Sequence, residues 1–197
     1  MSGATRPEAL FSLATLKTWL GVTDASKDAE LVLLGNAVSA ALERETKRIY
    51  VTRTVSEQLT GRGNRDIWLT QYPVVAVNSL TLKRSFTDTP TTILGSEYSV
   101  IADQGRLILL YTTAPAVPGN VAVSYDAGYG LQDSTDDDTL VTAAAVGVDW
   151  VKYLWDQKKN GAISVSSLSM QGMNVLLKQD WPPSLRDGVR GLTRARS

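Results

Sequence analysis

Four carboxylates crowd one short stretch of the chain, Asp133, Asp136, Asp137 and Asp138. Hard cations such as Ca²⁺ take oxygen ligands of this kind. A calcium loop, however, alternates its ligands around a central Gly and closes on a later bidentate Glu, and none of these follows here. The same residues read as the cap and acidic first turn of a helix, where backbone N–H groups and the helix dipole favour negative charge. Gly61-Arg62-Gly63 carries the first two glycines of a dinucleotide fingerprint, but Asp66 stands where the third belongs and no helical pattern follows. A hairpin turn is the expectation there. Five Trp residues invite a carbohydrate-stacking reading. Trp19, Trp150 and Trp155 lie in helical segments, where core or subunit packing accounts for them, while Trp68 and Trp181 sit near segment ends and suit an interface.

One charge asymmetry remains. Arg186, Arg190, Arg194 and Arg196 against Asp187 give residues 182–197 a net charge of +3, although Lys plus Arg and Asp plus Glu are both 20 over the 197 residues. Arg186, Arg190 and Arg194 recur every fourth residue, near one helical face. Such a face suits phosphate or an acidic partner. The alternative is a solvated tail with no specific role.

The chain has no Cys and no His. Disulfides, thiolate zinc sites, cysteine nucleophiles, the Ser-His-Asp triad and histidine bases are therefore excluded. Proton chemistry would fall to carboxylates, Lys or Tyr. No enzyme, cofactor or metal site is expected.

The elements that position these residues follow from periodicity. Leu13, Leu16, Trp19 and Leu20 share one face of a short helix stopped by Gly21. Thr23 or Asp24 is expected to cap a longer helix with Leu31, Leu34, Val38 and Ala41 inward. From Tyr50 the pattern alternates. Strands are predicted over Tyr50–Leu59, Ile67–Thr70, Val74–Leu82, Tyr98–Ile101, Arg106–Leu110 and Val121–Tyr125. Helix returns after Asp138, with Val141, Ala144, Val148, Val151 and Trp155 as its stripe, and ends at Asn160-Gly161. Ala162–Ser169 reads as a loop or edge strand, and Ser184–Arg194 as a last short helix.

The fold class is thus α+β: a helical bundle, two N-terminal helices plus a long C-terminal helix, with an inserted small antiparallel β-rich module. Residues 1–50 form the N-terminal helical part of the core and 51–130 the β-rich insertion. Residues 131–160 complete the core, and 161–197 form a C-terminal loop and docking tail. The opening MSGATRPEALFSLATL has charge and Pro where a secretory leader needs an unbroken apolar run. No apolar run approaches the roughly 18–20 residues that span a bilayer.

Several segments in order carry a resemblance. They are Leu13–Val22 with Asp28–Leu31, a helix closing on Thr46–Tyr50, Tyr72–Leu80, Val121–Tyr129 leading into a long helix, and Ile163–Ser169 through Pro182-Pro183 to the arginines. Together they resemble the head–tail connector (adaptor) proteins of long-tailed bacteriophages, with a β-rich segment longer than in that family's shorter members. The resemblance implies a virion protein made in the host cytoplasm, which assembles as a cyclic ring of roughly a dozen copies around the DNA channel. Its partners would be further copies of itself, a portal protein and a stopper or tail-completion protein, with double-stranded DNA passing through and no membrane involved. By carry-over the C-terminal segment grips the portal, through Trp181, Leu185, Arg186, Arg190, Arg194 and Arg196. Three other readings stay open at this stage: a stopper or tail-completion subunit, a ligand- or carbohydrate-binding module built on the β segment and Trp68, and a carboxylate-dependent hydrolase.

Overall fold

The computed structural model describes residues 5–160 and 182–193, which fall into two compact units. One unit comprises the chain up to Val51 and again from Gly130, and the other is Thr52–Tyr129. The first contains four α-helices among the described residues: α1 (Leu13–Leu20), α2 (Asp28–Thr46), α3 (Asp138–Lys159) and α4 (Pro183–Leu192). The second is all strands and short turns, so the class is α+β as the periodicities require.

Two of the helices, α1 and α3, begin where a side chain satisfies backbone donors. Ser12 accepts from the Thr15 N–H at 3.3 Å and starts α1, and Gly21 ends it in the left-handed conformation. Asp24 caps a single 3₁₀ turn, accepting from the Ser26 N–H at 2.8 Å, and α2 proper begins at Asp28. The expected cap at position 24 therefore serves a turn that leads into the helix. Leu31, Leu34, Val38 and Ala41 are all buried, so the stripe of α2 faces its unit's core.

Phe11 completes that core. Its ring is fully buried and seated between two glycines, Gly35 of α2 and Gly147 of α3. A Cβ on Gly147 would come within 2.8 Å of the ring, and one on Gly35 within 2.7 Å of Leu16. The two glycines therefore let the helices approach closely enough to hold an aromatic wedge. Lys158 of α3 pairs with Glu30 of α2, and Lys17 of α1 with Asp28 at 2.7 Å.

The stripe on α3 divides. Val148, Val151 and Trp155 are buried, together with Leu140, Ala143, Gly147, Trp150 and Leu154. Val141 is 40% exposed and Ala144 only partly covered. The apolar surface of α3 is wider than its own unit buries.

In the second unit, β1 (Arg53–Leu59), β3 (Val74–Leu82), β4 (Thr91–Thr92) and β7 (Val121–Ala127) form a sheet in the order β1-β7-β3-β4. The other strands, β2 (Asp66–Trp68), β5 (Tyr98–Ile101) and β6 (Arg106–Leu109), form a second sheet ordered β2-β6-β5, and every pairing between strands is antiparallel. Opposed residues fix the inward face: Val55 meets Tyr125, Glu57 meets Val123 and Leu59 meets Val121. Along β3 two register shifts change the parity, so Val74, Val77 and Leu80 reach the same interior at spacings of three. Because β1 and β2 belong to different sheets, the Gly61–Asn64 segment is a crossover turn and not the hairpin expected from its glycines. Its geometry follows from Gly61, where a Cβ would lie 2.3 Å from the Pro115 carbonyl oxygen.

Candidate functional site

The acidic cluster resolves into structural roles. Asp137 is the N-cap of α3, accepting from the Thr139 N–H at 2.7 Å and the Leu140 N–H at 3.1 Å. Asp133, in a left-handed conformation, accepts from the Ser12 N–H at 3.1 Å and so ties the α3 leader to the start of α1. Asp136 takes the Ser134 hydroxyl at 2.9 Å. Among the described residues no group of three or more carboxylates converges as a metal site.

The aromatic residues separate in the same way. Trp150 and Trp155 are core residues of the helical unit. Trp19 is 69% exposed, so core packing does not account for it. It stands at the rim of an open groove of about 490 Å³ between α1 and α3, where Val141, Ala144 and Val148 form the α3 wall and Leu10 and Phe11 the floor. Two carboxylates, Asp133 and Asp149, lie on this groove, and among the described residues no cation lines it. In the β unit Trp68 is half exposed, and the Arg106 guanidinium sits 5.4 Å from its ring centroid. Arg106 is itself held by Asp66 at 2.9 and 2.8 Å. One face of the indole is thus taken by the chain's own arginine.

Two polar ties inside the β unit have weak sequence signals. Glu57 falls on the inward parity of β1, where an apolar residue belongs. It accepts from the Tyr125 hydroxyl at 2.5 Å, the Thr70 N–H at 3.2 Å and the Thr70 hydroxyl, while the Tyr125 oxygen accepts from the Gln71 N–H at 3.1 Å. Burial first, then the bond to Glu57, pushes the Tyr125 phenol well above the ordinary tyrosine range. Asn120, also buried, accepts from the Gly61 N–H at 2.8 Å and donates to the Lys83 and Pro115 carbonyls at 3.1 and 2.9 Å. Both networks fasten loops, and each polar group in them is answered by the protein. A charge at an inward strand position was the available clue for Glu57, whereas Asn120 reads from sequence as an ordinary turn residue.

The C-terminal candidates fall on both sides of what the structure describes. Leu185 is buried with Val189 and Leu192, and these three hold α4 against α2 and α3. Arg186 and Arg190 lie on its exposed face. Trp181, Arg194 and Arg196 are outside the described residues, as is the segment Ala162–Ser169. Leu185 thus anchors the helix that displays the two arginines.

The fold has close counterparts. A chain in the virion of a native gene transfer agent particle matches with a TM-score of 0.66 at 19% identity, covering 94% of this chain and 90% of that one. Chains in the neck of an empty particle of that kind, computed with C6 symmetry, and of a native one, computed with C12 symmetry, match with TM-scores of 0.63 and 0.62. Their identities are 18% and 20%, with 94% of this chain covered in both cases and 90% and 89% of the counterparts. No curated protein matches the chain. The family model that matches most of the chain, with this fold, puts it in the class of structural head–tail connector proteins of virions. The family model for head completion proteins matches residues 9–184, and the chain belongs to that family.

Proposed function

We propose that this protein acts without catalysis, as a cyclic ring of about twelve copies seated between the portal and a stopper or tail-completion protein, extending the DNA channel. The observation that carries this reading is membership of the head completion family over residues 9–184, joined to a fold shared with chains in C6- and C12-symmetric necks. Zero net charge suits a conduit that passes DNA without retaining it. Among the described residues no helix is long and apolar enough to cross a membrane.

The C-terminal segment is the proposed portal grip. Leu185 fixes α4 to the bundle, Arg186 and Arg190 face outward, and Trp181, Arg194 and Arg196, which flank the helix in the sequence, are proposed to join the contact. The chain would be made in the host cytoplasm and act at the head–tail junction. Co-purification with the portal encoded beside it, imaged by electron microscopy, tests both parts. A coaxial ring lost on truncation after Trp181 supports the role and the grip. A ring that survives truncation keeps the role and discards the grip. With an intact portal and no bound ring, the connector role itself fails.

A further inference from the structure

Among the described residues, two apolar surfaces of the helical unit are left uncovered. The first is the α1–α3 groove, with Trp19 and Val141 exposed and Asp133 and Asp149 as its charged members. The second is the outer face of α2. While Leu31, Leu34, Val38 and Leu42 point inward, Leu33, Ala37, Ala40 and Arg44 follow one another at spacings of four, three and four on the opposite side. Leu33 is 43% exposed, and Ala40, Arg44 and Lys47 are exposed. Small residues at 37 and 40 let another helix approach closely. The ridge ends in cations, whereas the groove carries only carboxylates among its charged lining residues.

From this complementarity we infer that the α1–α3 groove of one copy receives the outer ridge of α2 from the next copy, with Arg44 and Lys47 against Asp133 and Asp149. The inference rests on the ring reading above and specifies its lateral contact. A cyclic ring is a head-to-tail assembly, so each subunit must present two different and complementary surfaces. Groove and ridge meet that requirement within a single unit. The contact is a helix laid into a groove, with apolar residues at helical spacing as anchors and charges at its end setting the register.

Because the chain has no cysteine, engineered pairs report the contact without background. Ala40→Cys combined with Val141→Cys, oxidised within portal-bound complexes, is expected to give a ladder of covalent oligomers, and either single variant is not. Asp149→Arg should lower the yield of rings at least tenfold, and adding Arg44→Asp in the same chain should restore most of it. Circular dichroism and the melting temperature confirm that each variant is folded. Rings that form normally but yield no ladder, or a double charge swap no better than the single one, overturn this contact while leaving the connector role intact. Dimers from Val141→Cys alone would mean that like surfaces meet, and would also overturn it. Absence of any wild-type ring on an intact portal defeats the connector reading, and this inference with it.

Discussion

The two units of this chain solve the problem of burying surface in opposite ways. In the helical unit the buried polar side chains are small hydroxyls, of which Ser39 and Thr46 donate to carbonyls of their own helix, Phe11 is wedged against Gly35 and Gly147, and apolar surface is left over outside as Trp19, Val141 and Leu33. The β unit admits polar groups to its interior, Glu57, Tyr125 and Asn120, and satisfies each of them. Its outer sheet face is hydroxyl, amide and carboxylate: Thr54 and Asn78 donate to Asp126 at 2.6 and 3.0 Å, and Ser56 lies opposite Ser124. Polar ties fix loops and specify register, whereas surplus apolar surface promotes association. Exposed apolar side chains, by contrast, occur on both units: Trp19, Leu33 and Val141 on the helices, and Val75, Phe86, Leu94 and Tyr111 on the β unit.

That contrast breaks most sharply at its two cores. Phe11→Ala should cost the helical unit about 3–5 kcal/mol, the usual range for deleting a buried aromatic. Amide exchange should show the loss across α2 and α3 with protection in β1, β3 and β7 retained, and equal loss in both units would show that they do not open independently. Asn120→Ala is the counterpart in the β unit. It leaves the Gly61 N–H and the Lys83 carbonyl unanswered, while the Pro115 carbonyl keeps the Val117 N–H, so a loss of about 2–4 kcal/mol is expected, read from the denaturation midpoint and from exchange around residues 60–65.

A smaller effect separates the units by pH. Tyr125 is held in its neutral form by burial and by donation to Glu57, so its folded pKa lies above the ordinary value of 10.0. The stability this confers is fully present below pH 10.0 and is lost as pH rises beyond it toward the folded value. Tyr125→Phe should cost about 1–3 kcal/mol at neutral pH and flatten that alkaline loss. Unchanged alkaline unfolding in the variant would assign the pH dependence to another group. The smallest stability change is expected on the outer surface of the helices. Trp19→Ser should shift unfolding by no more than about 0.5 kcal/mol, as for an ordinary surface substitution. Thermal melts check this, and a large drop would place Trp19 in the fold and not on a docking face.

Much of this architecture was legible in the residues. The stripe of α2 named its buried face correctly because spacings of three and four define a side of a helix without reference to any neighbour. Capping was legible for the same reason, and Asp137 holds two N–H groups within three residues of itself. The division between sheets was not. Gly61-Arg62-Gly63-Asn64 has the composition of a hairpin, but β1 pairs with β7, more than sixty residues away, because that partner offers Val121, Val123 and Tyr125 on the matching parity. Strand β4, two residues long, has no periodicity to read. The stripe assigned to α3 was correct in its C-terminal half and left Val141 and Ala144 outside the core.

Composition and local periodicity by themselves determined the α+β class, the starts of α1 and α3, the absence of histidine and thiol chemistry, and the structural role of the aspartates. These depend on backbone donors and side chains only a few residues apart. Tertiary structure alone decided which arc of α3 is covered, that Trp19 stands exposed beside a groove, and that partly buried Glu57 and buried Asn120 stand at the centres of polar networks. Each of these is set by what packs against a residue from a distant part of the chain. A helical repeat fixes which residues share a face, but only the neighbouring elements fix which face is inside.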